Sequence, residues 1–167
     1  VTADDKFSRL SPMASVAYRW SDDFMTYATV AEGFKSGGFQ KYPASEQASG
    51  IPFDNEISLN YELGFKSNFL DNRITLNAAA YIIKVKKQQL GTIREINNIP
   101  VESIANVGKS TNKGFEVEAV VRPANGLTMS GSLSYVDAQF DEFLNESTGR
   151  DRAGERIPYV PKWTGSA

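Results

Sequence analysis

The sequence predicts an all-β protein built on one antiparallel sheet, and three observations carry that prediction. Apolar and polar residues alternate with a period of two in most segments between turn signals, which places successive side chains on opposite faces of a sheet. Several of these segments match the roughly 9–11 residues of a membrane-crossing strand. The connections between them alternate short, long, short, long, short, long. A soluble sandwich has turns at both ends without that bias, whereas outer-membrane barrels combine short periplasmic turns with longer extracellular loops. The expectation is an antiparallel transmembrane β-barrel segment of about seven strands. Single-chain bacterial barrels have an even number of strands and close completely, so this one is expected to be part of a larger closed barrel.

The first strand is expected from about Met13 to Trp20, with Ala14, Val16, Tyr18 and Trp20 on one face and a tight turn at Ser21-Asp22-Asp23. A second runs from Phe24 to about Phe34. Its facing is open, because Tyr27, Thr29 and Ala31 compete with Thr26, Ala28 and Val30. From Lys35 to Glu56, Ser36-Gly37-Gly38, Pro43, Gly50 and Pro52 punctuate a loop. The central hairpin spans Leu59 to Val85. Leu59, Tyr61, Leu63 and Phe65 share a face that Ser67 interrupts and Phe69 resumes, opposite Asn60, Glu62, Gly64, Lys66 and Asn68. Leu70-Asp71-Asn72-Arg73 turns the chain, and Ile74, Leu76, Ala78, Ala80 and Ile82 continue the apolar face.

Lys86 to Ile104 reads as a second long polar connection. A strand from about Gly114 to Arg122 sets Phe115, Val117, Ala119 and Val121 against Glu116, Glu118, Val120 and Arg122. Pro123-Ala124-Asn125-Gly126 is a turn. Leu127, Met129, Leu133 and Tyr135 then alternate with Thr128, Ser130, Ser132 and Ser134. A third long connection covers about Gln139 to Ile157, and Pro158 to Ala167 opens a seventh strand.

Composition removes whole classes of function. The chain has 167 residues, 18 Lys and Arg against 20 Asp and Glu, a net charge of −2, and no His or Cys. No basic stripe suggests nucleic acid. Thiol chemistry, disulfides, His-based triads and nearly all zinc sites are out of reach. The longest apolar run, Ala78 to Ile83, is far shorter than the roughly 18 residues of a spanning helix. No charged, apolar leader opens the chain, so it is expected to be either a processed form or an internal piece of something longer.

Four segments then bear a resemblance. Tyr27-Ala28-Thr29-Val30-Ala31-Glu32-Gly33-Phe34-Lys35-Ser36-Gly37-Gly38-Phe39 resembles the barrel signature of TonB-dependent outer-membrane receptors. Asn60-Tyr61-Glu62-Leu63-Gly64-Phe65-Lys66 is similar to that family's "YELG-K" strand. Asn106-Val107-Gly108-Lys109 with Lys113-Gly114-Phe115-Glu116-Val117-Glu118 resembles its "N-GK…GFE-E" segment, and Pro158-Tyr159-Val160-Pro161-Lys162-Trp163 its "PYAPKW" strand opening. The four run in family order from Tyr27 to Trp163.

The resemblance implies an active transporter of scarce, bulky nutrients in the outer membrane of a Gram-negative bacterium. Ferric siderophores are the commonest substrates, beside cobalamin, haem and glycans. It implies a barrel of about 22 strands, filled by an N-terminal plug whose periplasmic motif contacts TonB. Residues 1–167 would be a partial barrel, with plug, TonB contact and terminal strands outside it. The expected partners are outer-membrane lipid, the TonB complex through the missing N-terminal region, and a small-molecule substrate such as a metal chelate. No enzymatic activity, catalytic residue, cofactor or resident metal is expected. A passive porin-like barrel and a soluble β-sandwich binding module are the alternatives.

Several local patterns invite sharper readings. Val107-Gly108-Lys109-Ser110-Thr111 imitates a phosphate-binding loop, but Ser103 stands where its first Gly belongs, so a strand start is the simpler reading. Glu116 and Glu118 share a face as a glycosidase pair would, yet lumenal charges explain them as well. Tyr18, Trp20, Phe24, Phe69 and Tyr135 fall near expected strand ends, where interfacial girdles form. Asp137, Asp141, Glu142 and Asp151 lack EF-hand spacing and read as a solvated acidic loop. Asn145-Glu146-Ser147 fits a glycosylation acceptor with little force in a bacterial protein. Gly37, Gly38 and Phe39, with Asn97 and Asn98, are the candidate ligand vestibule, since loops on a rigid scaffold hold recognition residues.

Overall fold

The computed structural model of the protein describes residues 6–40, 52–96, 99–145 and 149–167. Among them, seven strands form one antiparallel sheet: β1 (Met13–Ser21), β2 (Phe24–Lys35), β5 (Glu56–Phe69), β6 (Ile74–Lys86), β9 (Lys109–Ala124), β10 (Leu127–Glu142) and β13 (Trp163–Ser166), paired in that order. The remaining strands, β3 (Gly38–Phe39), β4 (Pro52–Phe53), β7 (Gln89–Ile96), β8 (Ile99–Asn106), β11 (Leu144–Asn145) and β12 (Arg150–Asp151), make three two-stranded ribbons within the long connections. The sheet is open, with β1 and β13 at its edges.

Register settles the facing. Tyr18 stands opposite Thr26, Thr26 opposite Phe65, Phe65 opposite Ala78, Ala78 opposite Val117, and Val117 opposite Leu133. Partners directly opposite share a face, so one apolar surface crosses the sheet, and the competition in β2 goes to Thr26, Ala28 and Val30. Val16, Tyr18, Trp20, Leu63, Met129 and Leu133 stand exposed on it. Ser67, the polar interruption of this face, is buried, and its hydroxyl donates to the Leu76 carbonyl at 2.6 Å. A hydroxyl bonded to the backbone in this way is tolerable on an apolar surface.

The short turns are residues 22–23, 70–73 and 125–126, and they all lie at one end of the sheet because neighbouring strands run antiparallel. Leu70, Asp71 and Asn72 all take positive φ, of 51°, 54° and 65°. Asp and Asn tolerate that region through local side-chain bonds. Gly126, at φ 81°, sits beside a register shift between Leu127 and Met129, the pairing of a left-handed Gly with a bulge.

Some expected boundaries are corrected. The long polar connection from Lys86 to Ile104 is a hairpin, β7–β8, that prolongs the β6–β9 pair: Gln88 N donates to Gly108 O at 2.9 Å, and Val107 N to Gln88 O at 3.1 Å. Lys87, at φ 52°, marks the break between ladder and hairpin. β9 opens at Lys109 rather than Gly114, and β10 runs to Glu142, past the expected loop start at Gln139. Both strands continue because polar side chains at the end of a sheet still leave backbone groups to pair. Tyr135 lies in the middle of β10 rather than near its end, stacked on Phe115 at a centroid distance of 5.8 Å and tilted against Trp163 at 4.7 Å.

The buried core lies at the long-connection end. The third connection folds back along β10, with Phe140 N donating to Glu155 O and Ile157 N to Ala138 O. This covers Ala138, Phe140 and Phe143.

Candidate functional site

The polar face of the sheet carries two tyrosines laid over glycines. Tyr27 stands opposite Gly64, and a Cβ added there would meet the Tyr27 ring at 2.6 Å. Tyr81 stands opposite Gly114, where such a Cβ would meet the Tyr81 hydroxyl at 2.6 Å and, closer still, the Tyr135 backbone carbonyl. At Gly64 the ring alone occupies the space that a side chain would need. The Tyr27 hydroxyl donates to Glu62 Oε1 at 2.8 Å. Tyr27, Lys66, Asn77, Glu116, Glu118 and Ser134 line one cleft on this side of the sheet. The expected Glu116 and Glu118 pair therefore faces the polar side, beside a lysine and a tyrosine.

At the long-connection end, side-chain amides tie the first connection to the second. The buried Gln89 amide donates to Ser36 O at 2.9 Å, Asp54 O at 3.0 Å and Lys35 O at 3.4 Å, while its backbone N donates to Glu56 Oε2 at 2.7 Å. Asn106 Oδ1 accepts from Asp54 N at 2.6 Å, and its Nδ2 donates to Asp54 O and Lys87 O. Gln40 exchanges two bonds of 2.9 Å with the Ile104 backbone, as a strand neighbour would.

These contacts tie Ser36 and Gln40, on either side of Gly37, Gly38 and Phe39, to the hairpin. Gly37 N donates to Asn55 Oδ1 at 2.7 Å, and a Cβ at Gly37 would clash with Phe53 O and the Phe7 ring. Phe39 packs edge-on against Phe7 at 6.0 Å. Gly37 and Gly38 thus also serve close packing. Asn97 and Asn98 lie outside the described residues. Gln40 and Gln89 were not singled out from the sequence, because isolated amides in polar loops carry no periodicity or spacing, and Asn106 entered only as part of a family-like segment, without this role.

The expected acidic cluster disperses over separate partners. Asp137 accepts from Gln139, Asp141 from Thr111 at 2.6 Å, Glu142 from Lys109 at 2.7 Å, and Asp151 from the Ala153 backbone. Asn145 pairs in β11, whereas residues 146–148 lie outside the described residues. In the third connection, Arg152 and Arg150 bond Glu155 at 2.8 and 2.6 Å and hold its carboxyl below the usual glutamate range. The Arg152 guanidinium also lies 5.6 Å from the Phe140 and Phe143 rings, within cation–π reach.

Comparison with known proteins places this geometry. The family profile described as "TonB dependent receptor-like, beta-barrel" matches residues 1–167. The pesticin receptor of Yersinia pestis is 32% identical over 151 residues, covering 89% of this chain and 20% of that protein. The metal-pseudopaline receptor CntO of Pseudomonas aeruginosa is 28% identical over 156 residues, covering 93% of this chain and 20% of the receptor. The solved ferric yersiniabactin uptake receptor FyuA from Yersinia pestis superposes with a TM-score of 0.70 at 28% identity, over 92% of this chain and 21% of FyuA. The chain thus spans about a fifth of the length of the relatives it matches.

Proposed function

The chain belongs to the TonB-dependent receptor-like β-barrel family, and on that premise we propose that it is part of an outer-membrane receptor for energised uptake of a scarce metal chelate such as a ferric siderophore. The carrying observation is the two-faced sheet, with one continuous apolar surface, an opposite polar surface and every long connection at one end. The apolar face meets outer-membrane lipid, the polar face lines the lumen, and the long connections face the medium. Its work is binding and gated passage rather than covalent chemistry. The plug and the TonB contact belong to other parts of the longer protein, and residues 1–167 supply a partial barrel. Gly37, Gly38 and Phe39, flanked by Ser36 and Gln40 that bond the β7–β8 hairpin, belong with Asn97 and Asn98 to the ligand vestibule.

Uptake of radioactive iron from a panel of ferric chelates, in iron-starved cells with and without the full-length receptor, tests this reading. At least one chelate should enter only when both receptor and TonB are present. Phe39→Ala should weaken its binding. Entry of small solutes that is indifferent to TonB would instead select the passive porin.

A further inference from the structure

We propose that Arg73, Arg122 and Asp71, at the short-turn end of the polar face, form a binding site for a diamino-acid end that carries two carboxylates and one ammonium, as the stem peptides of the cell wall do. The proposal rests on the membrane reading above, which puts this end of the sheet in the periplasm.

The ladder between β6 and β9 runs one step past its last strand pair, Ile74 opposite Val121. Arg122 N donates to Arg73 O at 2.7 Å, so the two arginines stand side by side on neighbouring strands, about 5 Å apart at the backbone. Val121 belongs to the apolar face, and alternation puts Arg122 and Arg73 on the polar one. With Asp71, Thr75, Asn125 and Thr128 they line a cavity of about 540 Å³ between the 70–73 and 125–126 turns. That volume lies in the range of small-molecule sites. Asp71, Arg73 and Arg122 are all exposed.

Like charges directly opposite on neighbouring strands destabilise a sheet. The Arg122 Nη1 donates to the Asn72 carbonyl at 3.1 Å, which leaves its charge unbalanced. Among the described residues, no ion pair reaches Arg73, Arg122 or Asp71. Asp71 shares the cavity without bonding either arginine, held on its wall by the left-handed turn of Leu70, Asp71 and Asn72. The cavity thus offers two guanidiniums, one carboxylate, and the hydroxyls and amide of Thr75, Thr128 and Asn125. Guanidiniums take carboxylates through paired, charge-assisted hydrogen bonds. A phosphate or simple carboxylate would be repelled by Asp71, and a plain amino acid would leave one arginine unmatched. A terminal diamino acid, with a carboxylate at each end and an ammonium beside the outer one, matches all three charges.

The test uses the full-length receptor in nanodiscs, with N-acylated alanyl-γ-glutamyl-diaminopimelate as probe and titration calorimetry as readout. The corresponding lysine tripeptide, which lacks the outer carboxylate, should bind at least about tenfold more weakly. The form acetylated on its side-chain ammonium should lose affinity likewise. Arg73→Gln and Arg122→Gln should each weaken binding of the probe by a similar factor. Asp71→Asn should abolish the preference for the free over the acetylated ammonium. No binding at millimolar probe, equal affinity for the three peptides, or indifference to both Arg variants overturns the site. If the Gln variants do not fold, the three-peptide comparison on the unaltered receptor decides. Intact sacculi should co-sediment the receptor and release it to excess probe. Binding of the free probe without retention on sacculi overturns the cell-wall source and marks a soluble-peptide site. Failure of the receptor to insert, or labelling of Asn72→Cys from outside on intact cells, would remove the membrane reading itself, a result distinct from insertion without peptide selectivity.

Discussion

Tyr27 lies across Gly64 on the polar face, occupying the space that any side chain at Gly64 would need. From there its hydroxyl reaches Glu62 at 2.8 Å. The tyrosine orientation and the missing Cβ are one device. Gly64→Val should cost about 1–3 kcal/mol in denaturant unfolding of the bilayer-refolded barrel, through overpacking. Tyr27→Phe, which loses only a hydrogen bond, should cost about 1 kcal/mol. In a Tyr27→Ala background most of the Gly64→Val penalty should vanish, a coupling that a double-mutant cycle measures directly. An undiminished penalty would mean that the strand backbone, not the ring, excludes the larger residue.

The two faces of β5 should differ sharply in tolerance. Phe65→Arg puts a charge on the apolar surface and should destabilise the full barrel by roughly 2–4 kcal/mol if it lies near the bilayer midplane. Lys66→Gln, one residue along on the polar face, should change refolding energies little. Equal costs at both sites would reverse the lumen and lipid faces.

Sidedness is open to cysteine labelling because the chain has no native Cys. In a receptor made Cys-free elsewhere, Glu102→Cys and Asp151→Cys at the long-connection end should react with an impermeant maleimide on intact cells. Asn72→Cys and Asn125→Cys, in the short turns, should react only after the outer membrane is opened. The opposite pattern would invert the topology and remove the vestibule with it. The further long-loop positions Ser49, Asn98 and Ser147 lie outside the described residues.

The third connection should have its own acid limit. Arg152 first, and then Arg150, hold Glu155 ionised by hydrogen bonds, which lowers its pKa from the ordinary value of 4.5. The stabilisation is therefore complete above that value and is lost as pH falls through the lowered one. A carbon-13 titration of the Glu155 carboxyl should show a midpoint below 4.5, and Arg152→Gln should raise it. An unchanged midpoint in that variant would assign the shift to another group.

The sequence resolved the fold wherever one alternation clearly outweighed the other. β5 was legible because Leu59, Tyr61, Leu63 and Phe65 face charged or polar neighbours. β2 was not, since both of its alternations mix Thr, Ala and one larger residue; only pairing with β5 decides between them. The β7–β8 hairpin escaped notice because its Gln, Arg, Glu and Asn residues resemble an ordinary loop, and its pairing is made by backbone groups. The vestibule positions rest on loop chemistry alone, whereas the ties made by Gln40, Gln89 and Asn106 reach partners 52 to 64 residues away. No local pattern reports such a distance.

The amide of Gln89 binds the carbonyls of Ser36 and Asp54 in a different connection and that of Lys35 at the end of β2, and this gives the outer loops a shared fate. Neither the first connection nor the β7–β8 hairpin can lift away without breaking bonds held by the other. A chelate touching only Phe39 would thus bias the hairpin as well, whether or not it reaches Asn97 or Asn98. Ordering one loop makes ordering its neighbour cheaper, which is positive cooperativity without any relay of side-chain shifts. Two loops coupled in this way would move as one jaw, and Gln89→Ala would loosen that coupling to the bonds that Asn106 and Gln40 still supply.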